Sequence, residues 1–241
     1  MVRLKCHERL QEFTFISSHD LQEPLRKIQI FTNFLSTPAA QLNEYAKKYS
    51  DKINSSAFRM SALIKDLLSF SILRDDKIEM EKVDLNAVMR NIINDFEVLI
   101  EERKATVNVS LLPVVCGEPV QMNQLFYNLI SNALKFSREN PVINISAGEA
   151  SANDFLIYPE LVKDTYYVFI SVKDNGIGFD QKYQDKIFTL FQRLNDKKDV
   201  PGTGVGLAIC KKIVDNHKGF IFVNSTKNIG TTFEVFLPGK V

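Results

Sequence analysis

The chain has 241 residues, 45% hydrophobic and 24% charged, with a formal net charge of +1. This balance is ordinary for a globular protein and removes any compositional argument for contact with nucleic acid or an anionic membrane. Cys6, Cys116 and Cys210 fall at no metal-ligand spacing, so a reducing cytoplasm fits best, and no apolar run is long enough to span a membrane or to form a signal-peptide core.

The chain begins inside a helical pattern without a cap, which suggests a fragment of a larger protein. Residues 3 to about 36 read as one helix, with Phe13, Ile16, Leu21, Leu25, Ile28 and Leu35 giving one apolar stripe and Ser36-Thr37-Pro38 ending it. His19 and Asp20 lie beside that stripe, so the histidine faces solvent. An imidazole with a pKa of about 6.5 is a usable nitrogen nucleophile near neutrality, and a neighbouring carboxylate can take its proton or hold one tautomer. Pro24 cannot donate to the carbonyl of Asp20 and bends or loosens the turn that follows. By themselves these residues describe a solvated surface histidine before a kink equally well.

A second helix is predicted from about Gln41 to Leu73. Its residues Tyr45, Tyr49, Ile53, Phe58, Met60, Leu63, Ile64, Leu67, Leu68 and Ile72 stand close to heptad spacing. Two such helices joined by a short break make an antiparallel hairpin. A second copy would cover its wide apolar face in a four-helix bundle, which predicts a homodimer; the alternative is that the face packs on the second half of the same chain.

The pattern changes after the charged linker Arg74-Asp75-Asp76-Lys77. A helix capped by Asp84 is expected to run to about Lys104. Short strands follow over 106–109 and 113–116, then a helix over 118–137 and strands over 142–148 and 166–173. A helix over 203–217 and a hairpin of strands 219–223 and 231–237 complete the chain. Residues 153–163 read as an irregular or hairpin insertion, and 179–201 form a charged loop too long to be a passive connection. The expected organisation is an all-α hairpin over 1–76, then an α+β two-layer sandwich over 77–241 with helices on one face of a mixed sheet.

Three clusters in the second half carry chemistry. In Asn128-Leu129-Ile130-Ser131-Asn132-Ala133-Leu134-Lys135-Phe136, the residues Asn128, Asn132 and Lys135 share one helical face. Amides and a lysine so placed suit a hydrated magnesium ion and phosphate oxygens, and also an ordinary solvated face. Asp174-Asn175-Gly176-Ile177-Gly178 follows a strand: its carboxylate can accept an exocyclic amine while the glycines turn the backbone tightly, although any turn between strands could read this way. Gly202-Thr203-Gly204-Val205-Gly206 opens a helix, where free amides and the dipole favour phosphate. It follows a loop rather than a strand, so a dinucleotide-binding βαβ unit lacks its required context.

In this order and spacing, Asn128 to Lys135, Asp174 to Gly178, Phe188-Thr189-Leu190-Phe191 and Gly202 to Gly206 resemble the N box, first glycine box, F box and second glycine box of sensor histidine kinases. Ser18-His19-Asp20-Leu21 with Pro24-Leu25 resembles their phosphoacceptor box, and the wording from Ser18 to Leu25 is most similar to the phytochrome-like branch. The resemblance covers nearly the whole chain. It implies a dimerisation and histidine-phosphotransfer hairpin, then an ATPase domain of the Bergerat/GHKL type shared with gyrase, heat-shock chaperones and mismatch-repair proteins. It further implies ATP and Mg²⁺ as cofactors, and a response-regulator receiver domain as partner. By motif position, His19 would take the phosphoryl group, with Asp20 orienting the ring or accepting its proton. Asn132 would ligate magnesium, with Asn128, Lys135 and Phe136 beside the nucleotide. Asp174 would select adenine, helped by Thr231 through water, with Gly176 and Gly178 around the base and Gly202, Gly204 and Gly206 at the phosphates. Residues 179–201 would be the lid, anchored by Phe188 and Phe191, with Arg193 reaching the γ-phosphate. Relatives that dephosphorylate their partner often carry threonine or asparagine four residues after the histidine. Glu23 stands there instead, so weak phosphatase activity is expected. Two readings from other classes stay open: an ATP-driven clamp, and a nucleotide-independent dimerisation scaffold.

Overall fold

The computed structural model describes residues 25–33, 35, 44–73, 79–163, 165–194 and 203–239. His19, Asp20, Glu23, Pro24, Gly202, the helix break at 36–38 and the charged linker at 74–77 lie outside the described residues. Two compact units divide the chain: residues 1–73 with 201–205, and 74–200 with 206–241.

The first unit is helical, with residues 25–33 forming α1 and Glu44–Ile72 forming α2. No glycine or proline interrupts α2. Leu25 packs with Ala57 and Ile64, and Leu68 lies against that cluster. The Ser50 hydroxyl donates to the Thr32 carbonyl at 3.0 Å, and the Asn54 amide to Asn33 Oδ1 at 2.5 Å. From Leu25 to Thr32 along α1 the partners step back along α2 from Ala57 and Ile64 to Ser50, so the two helices run antiparallel. A second apolar stripe stays exposed: Ile28, Phe31 and Leu35 on one helix, Tyr49, Ile53 and Met60 on the other.

The second unit holds a five-stranded sheet of β2 (Thr106–Val109), β4 (Val142–Glu149), β5 (Tyr167–Asp174), β7 (Gly230–Pro238) and β6 (Phe220–Thr226), in that spatial order. β2 lies parallel to β4 and every other pairing is antiparallel. β1 (Glu81–Asp84) pairs with β3 (Val114–Gly117) in a small separate sheet. β1 escapes sequence reading because a four-residue strand with one buried side chain, Val83, has no measurable period. The helix expected to continue to Lys104 is two, α3 (Leu85–Asp95) and α4 (Glu97–Arg103), broken at Phe96, whose ring packs tilted against Tyr127 with centroids 4.7 Å apart. Asp84 does cap α3, accepting the Asn86 amide. α5 (Pro119–Lys135) starts with proline at its first position and Glu118 as its cap, accepting from the Val120 and Gln121 amides. α7 (Gly206–Asn216) completes the helical layer.

Along β5, Val168, Ile170 and Val172 are buried on the side of α5, as the period of a strand requires. The alternate residues Tyr167 and Phe169 face away, and there the expectation of helices on one face alone needs correction. The stretch read as irregular contains α6 (Ala152–Ile157), opened by a capping box of Ser151 and Asp154. It brings Phe155, Tyr158 and Leu161 onto Tyr167, Phe169, Phe220, Phe222 and Phe236. Tyr158 stacks on Phe222 with centroids 4.0 Å apart and donates its hydroxyl to Glu234. These aromatic residues sit on β5 and, well downstream, on the β6–β7 hairpin, so no local pattern announces the cluster. No helix among the described residues is long and apolar enough to cross a membrane.

Candidate functional site

The predicted division of α5 holds. Leu129, Ile130, Ala133 and Leu134 are buried, and Asn128, Asn132 and Lys135 are half-buried on the other face. Asn128 Nδ2 donates to the carbonyl of Gly206 at 3.3 Å and so joins α5 to the first turn of α7. Lys135 Nζ lies 4.8 Å from the centre of the Phe136 ring. Phe136 closes α5 by donating its amide to Asn132, and its carbonyl accepts the Ile177 amide at 3.0 Å, which ties the helix end to the glycine loop.

Asp174 is the last residue of β5 and stands opposite Thr231 in register. Its Oδ1 accepts the amides of Gly176 at 2.8 Å and Thr231 at 3.2 Å. Among the described residues Oδ2 has no such donor, so one oxygen is fixed by the backbone and the other is left to accept from a ligand. Burial pushes this carboxyl above its usual range, and the two amides pull it down. The glycines are required by close approach. A Cβ on Gly176 would stand 2.6 Å from the Phe136 carbonyl oxygen; on Gly178, which has φ +55, 2.1 Å from that of Thr226. The Ile177 carbonyl accepts the Asn228 amide at 2.7 Å, so the loop is held between the end of α5 and the turn joining β6 to β7. Gly230, not singled out from sequence, closes the other side: its φ is +145 and a Cβ there would stand 2.1 Å from the Asp174 carbonyl oxygen. Its signal was the Gly-Thr pair that opens the last strand. Thr231 is buried beside Asp174.

Of the third cluster, Gly204 has φ +76, just ahead of the first turn of α7. Asn128 atoms lie no closer than 3.8 Å to where a Gly206 Cβ would be, so packing there would admit a side chain. Between the second and third clusters, Gln181–Tyr183 and Lys186–Phe188 form 3₁₀ turns. The expected anchor pair needs correction: Phe191, in a left-handed conformation at φ 63, is 56% exposed, whereas Ile187 is buried and Phe188 half-buried. Arg193 lies on the surface. Sequence reasoning also missed Ser225 and Gln181, which hold the start of this segment to β6.

The structure thus gathers Phe136, Asp174, Gly176, Gly178 and Thr231 at one end of the sheet, and sets Asn128 against Gly206. A carboxylate oxygen, amides and a lysine near a helix end suit a planar base bearing an amine and an anionic tail. Among the described residues no group of three or more His, Cys, Asp or Glu could hold a metal by itself. The lone amide oxygen of Asn132 fits a hydrated Mg²⁺ that takes its other ligands from phosphates and water, as that ion prefers.

Residues 117–241 match the model of the histidine kinase-, DNA gyrase B-, and HSP90-like ATPase, and residues 9–76 that of the His Kinase A (phospho-acceptor) domain. The phytochrome-like protein Cph1 of Synechocystis sp. is 34% identical over 230 residues, 95% of this chain and 29% of that protein, so the chain spans under a third of the relative's length. Among solved structures, full-length ShkA in complex with AMPPNP has the same fold, with a TM-score of 0.70 and 21% identity over 95% of this chain and 46% of its own. Histidine kinase ThkA in complex with the response regulator protein TrrA gives a TM-score of 0.62 and 24% identity over 97% of this chain and 64% of its own.

Proposed function

The chain belongs to the sensor histidine kinases, and from that premise we propose that it is an ATP-dependent kinase core that phosphorylates His19 and hands the group to an aspartate of a response-regulator receiver domain. The observation that carries this reading is the Asp174 carboxylate, with one oxygen fixed by the Gly176 and Thr231 amides and the other presented to a ligand, inside the matched ATPase segment.

Phosphoryl transfer asks the protein for position and charge neutralisation more than for covalent chemistry. Asp174 Oδ2 accepts the exocyclic amine of adenine, and the Thr231 hydroxyl serves the base through water. Asn128, Lys135 and the amides around Gly202, Gly204 and Gly206 receive the phosphates, and Arg193 meets the γ-phosphate. Asn132 would hold Mg²⁺, which when bound would offset phosphate charge. A ring nitrogen of His19 attacks the γ-phosphorus in line, ADP leaves with the bridging oxygen, and Asp20 orients the ring or takes its proton. The hairpin, proposed to span 1–76 ahead of an ATP-binding domain over 77–241, makes a homodimer through its exposed stripe. A core that draws on ATP and on a receiver domain would work in the cytoplasm. Glu23, an anionic acceptor, cannot help an attacking water as an amide or hydroxyl would, and phosphatase activity is weak.

Incubation with γ-labelled ATP and Mg²⁺ tests the proposal. The protein should acquire label that is alkali-stable, acid-labile and absent from His19→Gln. ATP turnover without labelled protein would instead identify a nucleotide-driven clamp, and acid-stable label a hydroxyl-directed kinase.

A further inference from the structure

Ser225 stands on β6 opposite Thr231 and is buried at 8% exposure. Its hydroxyl makes every contact a hydroxyl can. It accepts the Phe179 amide at 2.9 Å, donates to the Gly230 carbonyl at 3.1 Å and lies 3.0 Å from Thr231 Oγ1. Thr231 in turn donates its amide to Asp174 Oδ1. One side chain therefore connects the carboxylate pocket to the first residue after Gly178. A second tie lies alongside. The Gln181 side-chain amide donates to the Val223 carbonyl and accepts the Ser225 amide, both at 2.8 Å, pairing with the free edge of β6 as a strand peptide would.

A serine hydroxyl has one proton and two lone pairs. While its proton rests on the Gly230 carbonyl, Ser225 can accept from both the Phe179 amide and the Thr231 hydroxyl. When the Thr231 proton is wanted elsewhere, Ser225 can turn its own proton to Thr231 Oγ1 and still accept from Phe179. The Phe179 amide keeps its acceptor in both arrangements, and freeing the Thr231 hydroxyl takes the Ser225 proton away from the Gly230 carbonyl, so the two arrangements differ at the turn joining β6 to β7.

We propose that Ser225 is a positioning residue: it couples occupation of the base pocket at Asp174 and Thr231 to the placement of the segment that starts at Phe179. The proposal rests on the reading of that pocket as a nucleotide site. Gln181 acts with Ser225 as the second tie of the same segment.

Hydrogen exchange of residues 178–184, measured by mass spectrometry with and without ADP, tests this. ADP slows exchange there in the parent protein. In Ser225→Ala, calorimetry finds ADP still bound, with affinity lowered by no more than about tenfold. The ADP-dependent slowing at 178–184 is gone, and Ser225→Thr, which keeps a hydroxyl, restores it. Gln181→Ala weakens the slowing with an unchanged melting temperature, which carries the test even where Ser225→Ala folds poorly. Unchanged slowing in Ser225→Ala, or in Gln181→Ala, overturns the coupling. A parent protein that binds no ADP overturns the nucleotide reading itself, a result distinct from the loss of coupling.

Discussion

Asp174 carries a conflict between stability and use. Its folded pKa is raised, so the stability it contributes is fully present below the unfolded carboxyl pKa of about 3.9 and is lost as pH rises through the folded value. Above that value the ionised, half-buried carboxylate is a cost. Asp174→Asn keeps an oxygen for the Gly176 and Thr231 amides and removes the charge. Its thermal midpoint should equal or exceed that of the parent, while calorimetry finds ADP affinity reduced by about tenfold or more. A lowered midpoint would show the carboxylate to be structural. His217 pulls the other way. Its Nε2 accepts the Glu118 amide at 3.0 Å, so the ring is neutral and Nδ1 donates to the Ile213 carbonyl at 2.7 Å. Burial holds its pKa below 6.5, against the Ile213 carbonyl and Glu118. The unfolded chain therefore takes the proton first: this contribution is complete above about pH 6.5 and is lost as pH falls towards the folded value. Denaturation midpoints measured from about pH 7 down to 5.5 should fall in the parent, with a shallower slope in His217→Gln. Asp174 and Gly178 were readable only through the order and spacing of the motifs around them, because an Asp-x-Gly-x-Gly run by itself describes any turn between strands; the structure adds that no side chain fits at Gly178, 2.1 Å from a carbonyl oxygen. Ser225 was not readable. A serine in a strand is common, and its meaning lies in partners brought together by the hairpin.

At the scale of elements, α5 was legible because its two faces differ in kind and its period runs unbroken from Pro119 to Lys135. The break at Phe96 was hidden because the apolar pattern continues through it, and the tilted contact with Tyr127 joins residues about thirty apart in the chain. α6 was hidden because six residues are too few for a period to emerge. Its hold on the sheet is nevertheless specific. Tyr158 stacks on Phe222, meets Phe236 edge-on at 5.5 Å and accepts from Asn224 at 3.1 Å. Burial and the Glu234 carboxylate push its phenol up to about 12. Tyr158→Ala should lower stability by about 3 kcal/mol in urea denaturation, within the range for aromatic truncation. Tyr158→Phe should cost about 1 kcal/mol for the lost hydrogen bonds. Because this face of the sheet is opposite the one that packs against α5, ADP affinity should change by less than about twofold in either variant, well under the tenfold that 1.4 kcal/mol represents.

At the scale of the whole molecule, the question is what covers the hairpin. Phe31 is 65% exposed and Tyr49 60%, and with Ile28, Leu35, Ile53 and Met60 they continue a stripe that the antiparallel packing of Leu25, Ala57 and Ile64 leaves outside. Isolated exposed apolar side chains are unremarkable, but a continuous row along both helices is the pattern that a second hairpin buries in a four-helix bundle. A charge placed in that row would be desolvated on association and left unpaired, which burial makes expensive. Ile53→Glu on α2, itself 51% exposed, should therefore leave the fold of one chain intact and halve the particle mass in sedimentation. Asp174 and its loop belong to the other compact unit, so ADP affinity in Ile53→Glu should stay within about twofold of the parent, a difference below 0.5 kcal/mol. A variant that sediments as the parent does would mean that the stripe is covered by something other than a second copy. A variant that loses ADP binding together with mass would mean that the nucleotide site depends on association.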